Sequence, residues 1–249
     1  MKTLREKPGI GYTRTMDLPQ LYKGTLIRRY KRFLADVQLE SGSQITAACP
    51  NTGTMLGLTT PDITVYLSRS DSVTRKYPYT WEMAERADIG LIGINTARPN
   101  ALVEAAITAG KVPKLEGYTS IRREVKYGVN SRIDLLLQGQ GVPDCYVEVK
   151  NVTLCRNPGH AEFPDCRTER GAKHLVEMTG MVKQGHRALM IYCIQGGHAK
   201  RFSLTADLDP TYVKAYALAH AQGVEAIALT CHVSLESIHV TGSLTVEDP

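Results

Sequence analysis

Ser131-Arg132-Ile133-Asp134-Leu135-Leu136-Leu137 and, after a short connector, Cys145-Tyr146-Val147-Glu148-Val149-Lys150 form the stretch from which fold and chemistry are read. Both runs alternate with a period of two, as β-strands do. Alternation sets Ile133, Leu135 and Leu137 on one face of the first strand and Arg132, Asp134 and Leu136 on the other. In the second strand Cys145, Val147 and Val149 share one face, and Tyr146, Glu148 and Lys150 the other. The connector carries Gly139, Gly141 and Pro143, so the two runs should close a hairpin. If it is symmetric about Gly141, Asp134 lies opposite Glu148, Arg132 opposite Lys150, and Leu136 opposite Tyr146.

Two carboxylates meeting across strands repel by a few tenths to ~1 kcal/mol unless something neutralises them. Magnesium does so well, because it takes one or two carboxylates and completes its shell with water and phosphate oxygens. Lys150, on the Glu148 face, can orient or deprotonate an attacking water, or stabilise charge that develops on phosphorus. Asp134 and Glu148 are therefore the candidate metal ligands, with Mg²⁺ or Mn²⁺ as cofactor. The plainer alternative is a surface hairpin whose acids are neutralised by Lys150 and Arg132. Such exposed pairs are common and worth little.

The composition suits a globular protein: 43% hydrophobic and 22% charged residues over 249 positions, with a net charge of +5. No apolar run approaches the ~20 residues of a membrane helix. The amino terminus shows no apolar signal core. A cytoplasmic chain with no membrane partner is expected. The cysteines form no CxxC pair, so free thiols are expected rather than disulfides or a zinc site. Basic residues gather at Arg28, Arg29, Lys31 and Arg32, and again at Arg75-Lys76. Such clusters attract phosphate, and each is also an ordinary solvated surface.

Residues 1–20 read as an extended arm rich in Pro, Gly and charge. Short strands follow at 26–37, 44–49, 63–68, 79–83 and 89–94, separated by turn signals. They suggest a small barrel of the OB type, whose usual ligands include nucleic acids. Trp81 and Phe33 are expected in its core, and Asn51-Thr52-Gly53 in a tight turn. A helix is predicted over 101–109, then strands at 121–127, 131–137 and 144–153 and a long loop. Thr168 caps a helix running to about Lys183, and Asp209-Pro210 start another. Strands at 187–194 and 224–231 complete a mixed sheet flanked by helices. The fold class is thus α/β (α+β), with domains at 21–94 and 95–249.

Asp134 with Glu148-Val149-Lys150 resembles the PD-(D/E)xK nuclease signature. Further phrases match in order: Gly24-Thr25-Leu26, Arg29-Tyr30-Lys31-Arg32-Phe33, Pro50-Asn51-Thr52-Gly53, Arg75-Lys76-Tyr77, Glu124-Val125-Lys126-Tyr127-Gly128 and Lys173-His174-Leu175. Together they resemble the sugar fermentation stimulation protein A family over nearly the whole chain from residue 21. The resemblance implies an OB-like barrel joined to a PD-(D/E)xK nuclease-like domain, and DNA binding without strong sequence preference. It carries catalytic roles onto Asp134, Glu148 and Lys150. A further acid is expected from Glu124, or from Glu104 on the preceding helix, although Ala105 and Ala106 stand where that helix should offer glutamate. Arg132, Arg170 and His174 are expected to hold substrate phosphate with the basic clusters above. Two outcomes stay open: a magnesium-dependent nuclease, or a non-catalytic DNA-binding regulator of sugar metabolism that keeps the nuclease fold. RNA is the alternative polymer. The sequence points to no protein partner.

Overall fold

The computed structural model describes residues 16–247. The expected arm over 1–15 lies outside them. Its last part is not an arm: Met16–Asp17 (β1) pairs with Ser237–Leu244 (β16), at the edge of the carboxy-terminal sheet.

Five strands form the barrel: β2 (Leu21–Tyr30), β3 (Leu34–Leu39), β4 (Gln44–Ala48), β5 (Thr64–Arg69) and β6 (Tyr79–Arg86). Their order β4-β3-β2-β5-β6 closes through a parallel β4–β6 contact, and β7 (Gly90–Gly93) adds to β6. The interior is apolar around Trp81, which is fully buried and donates its indole N–H to the Met83 carbonyl. The single strand expected over 26–37 is instead two strands around a turn at residues 31–33. Lys31 and Arg32 both adopt positive φ there (51° and 65°), and Phe33 is exposed rather than core. Non-glycine residues hold such angles only where their surroundings over-determine them. Arg29 provides this restraint: its Nη2 donates to the carbonyls of Arg32, Asn51 and Gly53 at 2.7–2.8 Å.

Close packing fixes β2 against β3 at Gly24. A Cβ at that position would lie 2.5 Å from Val37 Cγ1 and 2.8 Å from the Gln38 carbonyl oxygen. Gly24→Ala should therefore lower stability by about 1–3 kcal/mol, the usual range for overpacking. Urea unfolding reads this directly, and an unchanged midpoint would show that β2 and β3 part freely.

The second sheet has seven strands, ordered β1-β16-β15-β13-β10-β9-β8. Its members are β8 (Ser120–Tyr127), β9 (Ser131–Gly139), β10 (Val142–Val152), β13 (Arg187–Ile194) and β15 (Glu225–Val233), with β1 and β16. Strands β10, β13 and β15 run parallel, while β8, β9 and β16 are antiparallel to their neighbours. The expected long loop after β10 carries two strands, β11 (Leu154–Asn157) and β12 (His160–Phe163). These join β14 (Arg201–Leu204) and β17 (Val246–Glu247) in a small third sheet. The strand β16 (Ser237–Leu244) likewise lies where the sequence predicts no element.

Helix α1 (Pro99–Thr108) packs on one face of the large sheet, and α2 (Glu169–Lys183) and α3 (Pro210–Ala221) on the other. Both expected caps form: Thr168 accepts the Gly171 N–H and Asp209 accepts the Tyr212 N–H, each satisfying an orphan first-turn donor. The core under α1 extends to Tyr66 and Met83 of the barrel, so the two sheets share apolar contact. Polar links also tie the barrel to the small third sheet. Asp165 accepts the Met55 N–H at 2.7 Å, and Arg86 donates to the Cys155 carbonyl at 2.7 Å. All six cysteines are free thiols, five of them buried.

Candidate active site

The β9–β10 hairpin sets Leu136 opposite Tyr146, as the symmetry about Gly141 requires, with Leu137 opposite Cys145 and Leu135 opposite Val147. There the ladder ends. Asp134 and Glu148 are not a ladder pair; they stand where the strands begin to part. The Val149 N–H, which a continuing ladder would bond to backbone, donates instead to Asp134 Oδ2 at 2.8 Å.

Alternation also breaks at Asp134. Leu135 and Leu137 lie in the core under α1, but Ile133 lies in the core under α2 and α3, contrary to the single face expected for all three. Across the strand, β8 pairs Arg123 with Leu135 and Val125 with Ile133. Glu124 therefore faces Asp134, and it takes a φ of 53°. One residue out of the extended region resets which face the following side chains occupy.

Each carboxylate is held by a different helix. Asn100, in the first turn of α1, donates to Asp134 Oδ1 at 2.9 Å. His174 of α2 places Nδ1 2.5 Å from Glu148 Oε1, and Lys150 Nζ donates to the same oxygen at 2.6 Å. Glu148 and Lys150 do share a face, as period two dictates. The second Glu148 oxygen, Oε2, is buried with no hydrogen-bond partner among the described residues. The Tyr127 hydroxyl, also buried and unpartnered among them, lies near enough to feel Glu148, Glu177 and Asp134.

Burial pushes the Asp134 carboxyl up, and the Glu148 charge adds to the effect; donation from Val149 and Asn100 offsets only part of it. Burial works on Glu148 in the same direction. There the His174 hydrogen bond and the charge and hydrogen bond of Lys150 prevail, holding Glu148 below the ordinary glutamate value. Two neighbouring acids are thus driven apart in affinity for protons, an arrangement common at functional sites.

The site fits a divalent cation. Among the described residues no three His, Cys, Asp or Glu side chains cluster as a metal cage. What exists is a buried carboxylate with one bare oxygen, Glu148, beside the half-buried carboxylate of Asp134. Magnesium favours this donor set, because it retains water and takes substrate oxygens for the remainder. A groove of about 450 Å³ lies alongside, lined by Glu124, Arg132, Arg170, Lys173 and His174 among others.

Most of the expected site residues thus converge, with changed roles. Arg132, Arg170 and Glu124 line the groove together. His174 is 3% exposed and holds Glu148, so it is a carboxylate partner rather than a phosphate contact. Glu104 is ion-paired with Arg123. The barrel cations lie on another part of the molecule, and Arg29 is not free to meet phosphate, since its guanidinium clamps backbone carbonyls. Arg28 pairs with Asp36 at 2.8 Å, Arg75 donates to Thr80 at 2.8 Å, and Lys31, Arg32 and Lys76 are exposed. Asp165, just after β12, ties the third sheet to the barrel by accepting the Met55 N–H. Asn100 was missed altogether: no sequence periodicity ties a helix-opening amide to an acid two elements later.

A family model described as "Sugar fermentation stimulation protein RE domain" matches residues 97–237, and one described as "SfsA N-terminal OB domain" matches residues 27–94. The chain belongs to the sugar fermentation stimulation family. It is 55% identical over 228 residues to a sugar fermentation stimulation protein homolog of Azorhizobium caulinodans, covering 90% of this chain and 96% of that one. To the homolog of Agrobacterium fabrum it is 53% identical over 230 residues, covering 92% and 96%. Among solved structures, Pyrococcus furiosus SfsA in complex with Ca²⁺ superposes with a TM-score of 0.84 at 27% identity, covering 93% of this chain and 98% of that one. The family's OB barrel is thus the barrel of residues 21–93, and its RE domain is built on the seven-stranded sheet. Among the described residues no helix is long and apolar enough to cross a membrane.

Proposed function

We propose that this chain binds nucleic acid, DNA foremost and without strong sequence preference, and cleaves its phosphodiester bonds with Mg²⁺ or Mn²⁺. The observation that carries the reading is the parting of β9 and β10 at Asp134 and Glu148, with Lys150 on Glu148, one bare carboxylate oxygen, and a cation-lined groove alongside. Asp134 and Glu148 would hold the cation. When bound it supplies Lewis acidity toward a phosphoryl oxygen and lowers the pKa of water. Arg132, Arg170 and Lys173 hold the backbone through its phosphates. Lys150 orients or deprotonates the attacking water, or steadies charge on phosphorus. The Ca²⁺ complex of the P. furiosus relative supports a divalent ion in this fold. Of the two further acids considered, Glu124 lies in the groove, whereas Glu104 is engaged by Arg123.

Linear, nicked and single-stranded DNA, and RNA, incubated with Mg²⁺ or Mn²⁺, test the proposal. Cleavage is expected, and Asp134→Ala should abolish it. Binding should weaken steeply with salt, as counterion release from phosphates demands. Salt-dependent binding with no cleavage of any polymer would leave the non-catalytic regulator instead. A salt-insensitive affinity would overturn both.

A further inference from the structure

The two oxygens of Glu148 are treated unequally. Oε1 receives Lys150 at 2.6 Å and His174 Nδ1 at 2.5 Å, while Oε2, equally buried, receives nothing among the described residues. The imidazole is itself constrained. Arg170 Nε donates to His174 Nε2 at 3.3 Å, which makes Nε2 the acceptor and places the ring proton on Nδ1, toward Glu148. In that tautomer His174 gives Glu148 a directed N–H donor beside the Lys150 cation.

We infer that His174 is a positioning residue. It grips Oε1 so that the carboxylate is locked in rotation and Oε2 is presented to the divalent ion beside Asp134. Arg170, exposed on the groove wall, fixes the tautomer from outside. The inference rests on the metal-dependent reading above and deepens it. A carboxylate held by Lys150 alone would rotate about its last torsion, which is broad and two-fold. A second donor on the same oxygen removes that freedom. Partners outside the ligand shell commonly tune metal affinity in this way, by about 10–100-fold.

The amide of asparagine can place an N–H near the position of Nδ1, whereas that of glutamine reaches toward the position of Nε2. His174→Ala, His174→Asn and His174→Gln are compared in the full chain by titration with Mn²⁺ alone, followed by electron paramagnetic resonance of the free ion. Thermal melting of each variant accompanies the titration. His174→Ala and His174→Gln should weaken Mn²⁺ binding about 10–100-fold, and His174→Asn should recover most of it. A folded His174→Ala with unchanged affinity overturns the inference while leaving the metal site standing. If the alanine variant does not fold, equal affinities for the asparagine and glutamine variants overturn it. Absence of Mn²⁺ binding by the unaltered chain removes the metal-dependent reading and this inference with it. Mn²⁺ binding that depends on His174, without cleavage of any polymer, overturns only the nuclease reading.

Discussion

Lys150→Met should slow phosphodiester cleavage by about 10²–10⁴-fold, the range spanned by a positioned proton-transfer group, while Mn²⁺ still binds. Methionine keeps the length and apolar stem of lysine and removes its charge and donors. Lys150 touches Glu148 Oε1 at 2.6 Å, not the bare Oε2, so its loss leaves the metal-facing oxygen in place and the His174 contact intact. The lost function is the one assigned to the ammonium: aligning the attacking water and countering charge on phosphorus. Lys150→Arg should not restore the rate, because a planar guanidinium does not replace a compact ammonium. Removing the cation also weakens the hold on Glu148, so activity is compared where melting curves show the variant folded. Cleavage by Lys150→Met within threefold of the unaltered chain would remove Lys150 from the chemistry.

The second large effect lies at the junction of the sheets. Glu82 of β6 is buried, and accepts from Ser68 at 2.6 Å, Asn95 at 2.8 Å and Arg98 at 2.8 Å. Arg98 immediately precedes α1, so this carboxylate ties the barrel to the helix that carries Asn100. Glu82→Gln should destabilise the protein by about 3–5 kcal/mol at pH 7, because Arg98 is left largely buried without its counter-charge. Replacing both residues, as Glu82→Gln with Arg98→Met, should return part of that loss.

The pH dependence has a definite sign. Burial raises the Glu82 pKa, but the hydrogen bonds from Arg98, Ser68 and Asn95 and the Arg98 charge outweigh it, and the folded value lies below the ordinary 4.5. A depressed folded pKa contributes stability that is complete above the unfolded value and is lost as pH falls through the folded one. Urea midpoints of the unaltered chain should therefore drop through this acid range, and Glu82→Gln should narrow its deficit there. A deficit below about 1 kcal/mol at pH 7, or one that widens on acidification, would refute the assigned role.

Much of this site is legible in the sequence. The glycines of the connector placed the hairpin, and its symmetry placed Leu136 opposite Tyr146. Glu148 and Lys150 share a face because strand alternation is a local property. Helices α2 and α3 start at Thr168 and Asp209 because their side chains cap orphan N–H groups within three residues. Local rules failed where the backbone leaves its regular form. Positive φ at Lys31 and Arg32 turned one expected strand into two, and positive φ at Glu124 faces the point where Ile133 changes sides. Arg29 shows the same limit in a side chain: its type suggested phosphate, but carbonyls more than twenty residues away engage it.

The family, the β9–β10 hairpin and the pairing of an acid with a lysine on one strand face follow from the sequence by itself. Each depends on residue identity and on periodicity over a few positions. Only the tertiary structure decided that the strands part at Asp134, that Asn100 holds one carboxylate across 34 positions and that His174 holds the other across 26. Those contacts exist because α1 and α2 pack on opposite faces of the large sheet, each burying its own apolar surface. No local period encodes which polar side chain such packing brings against which acid.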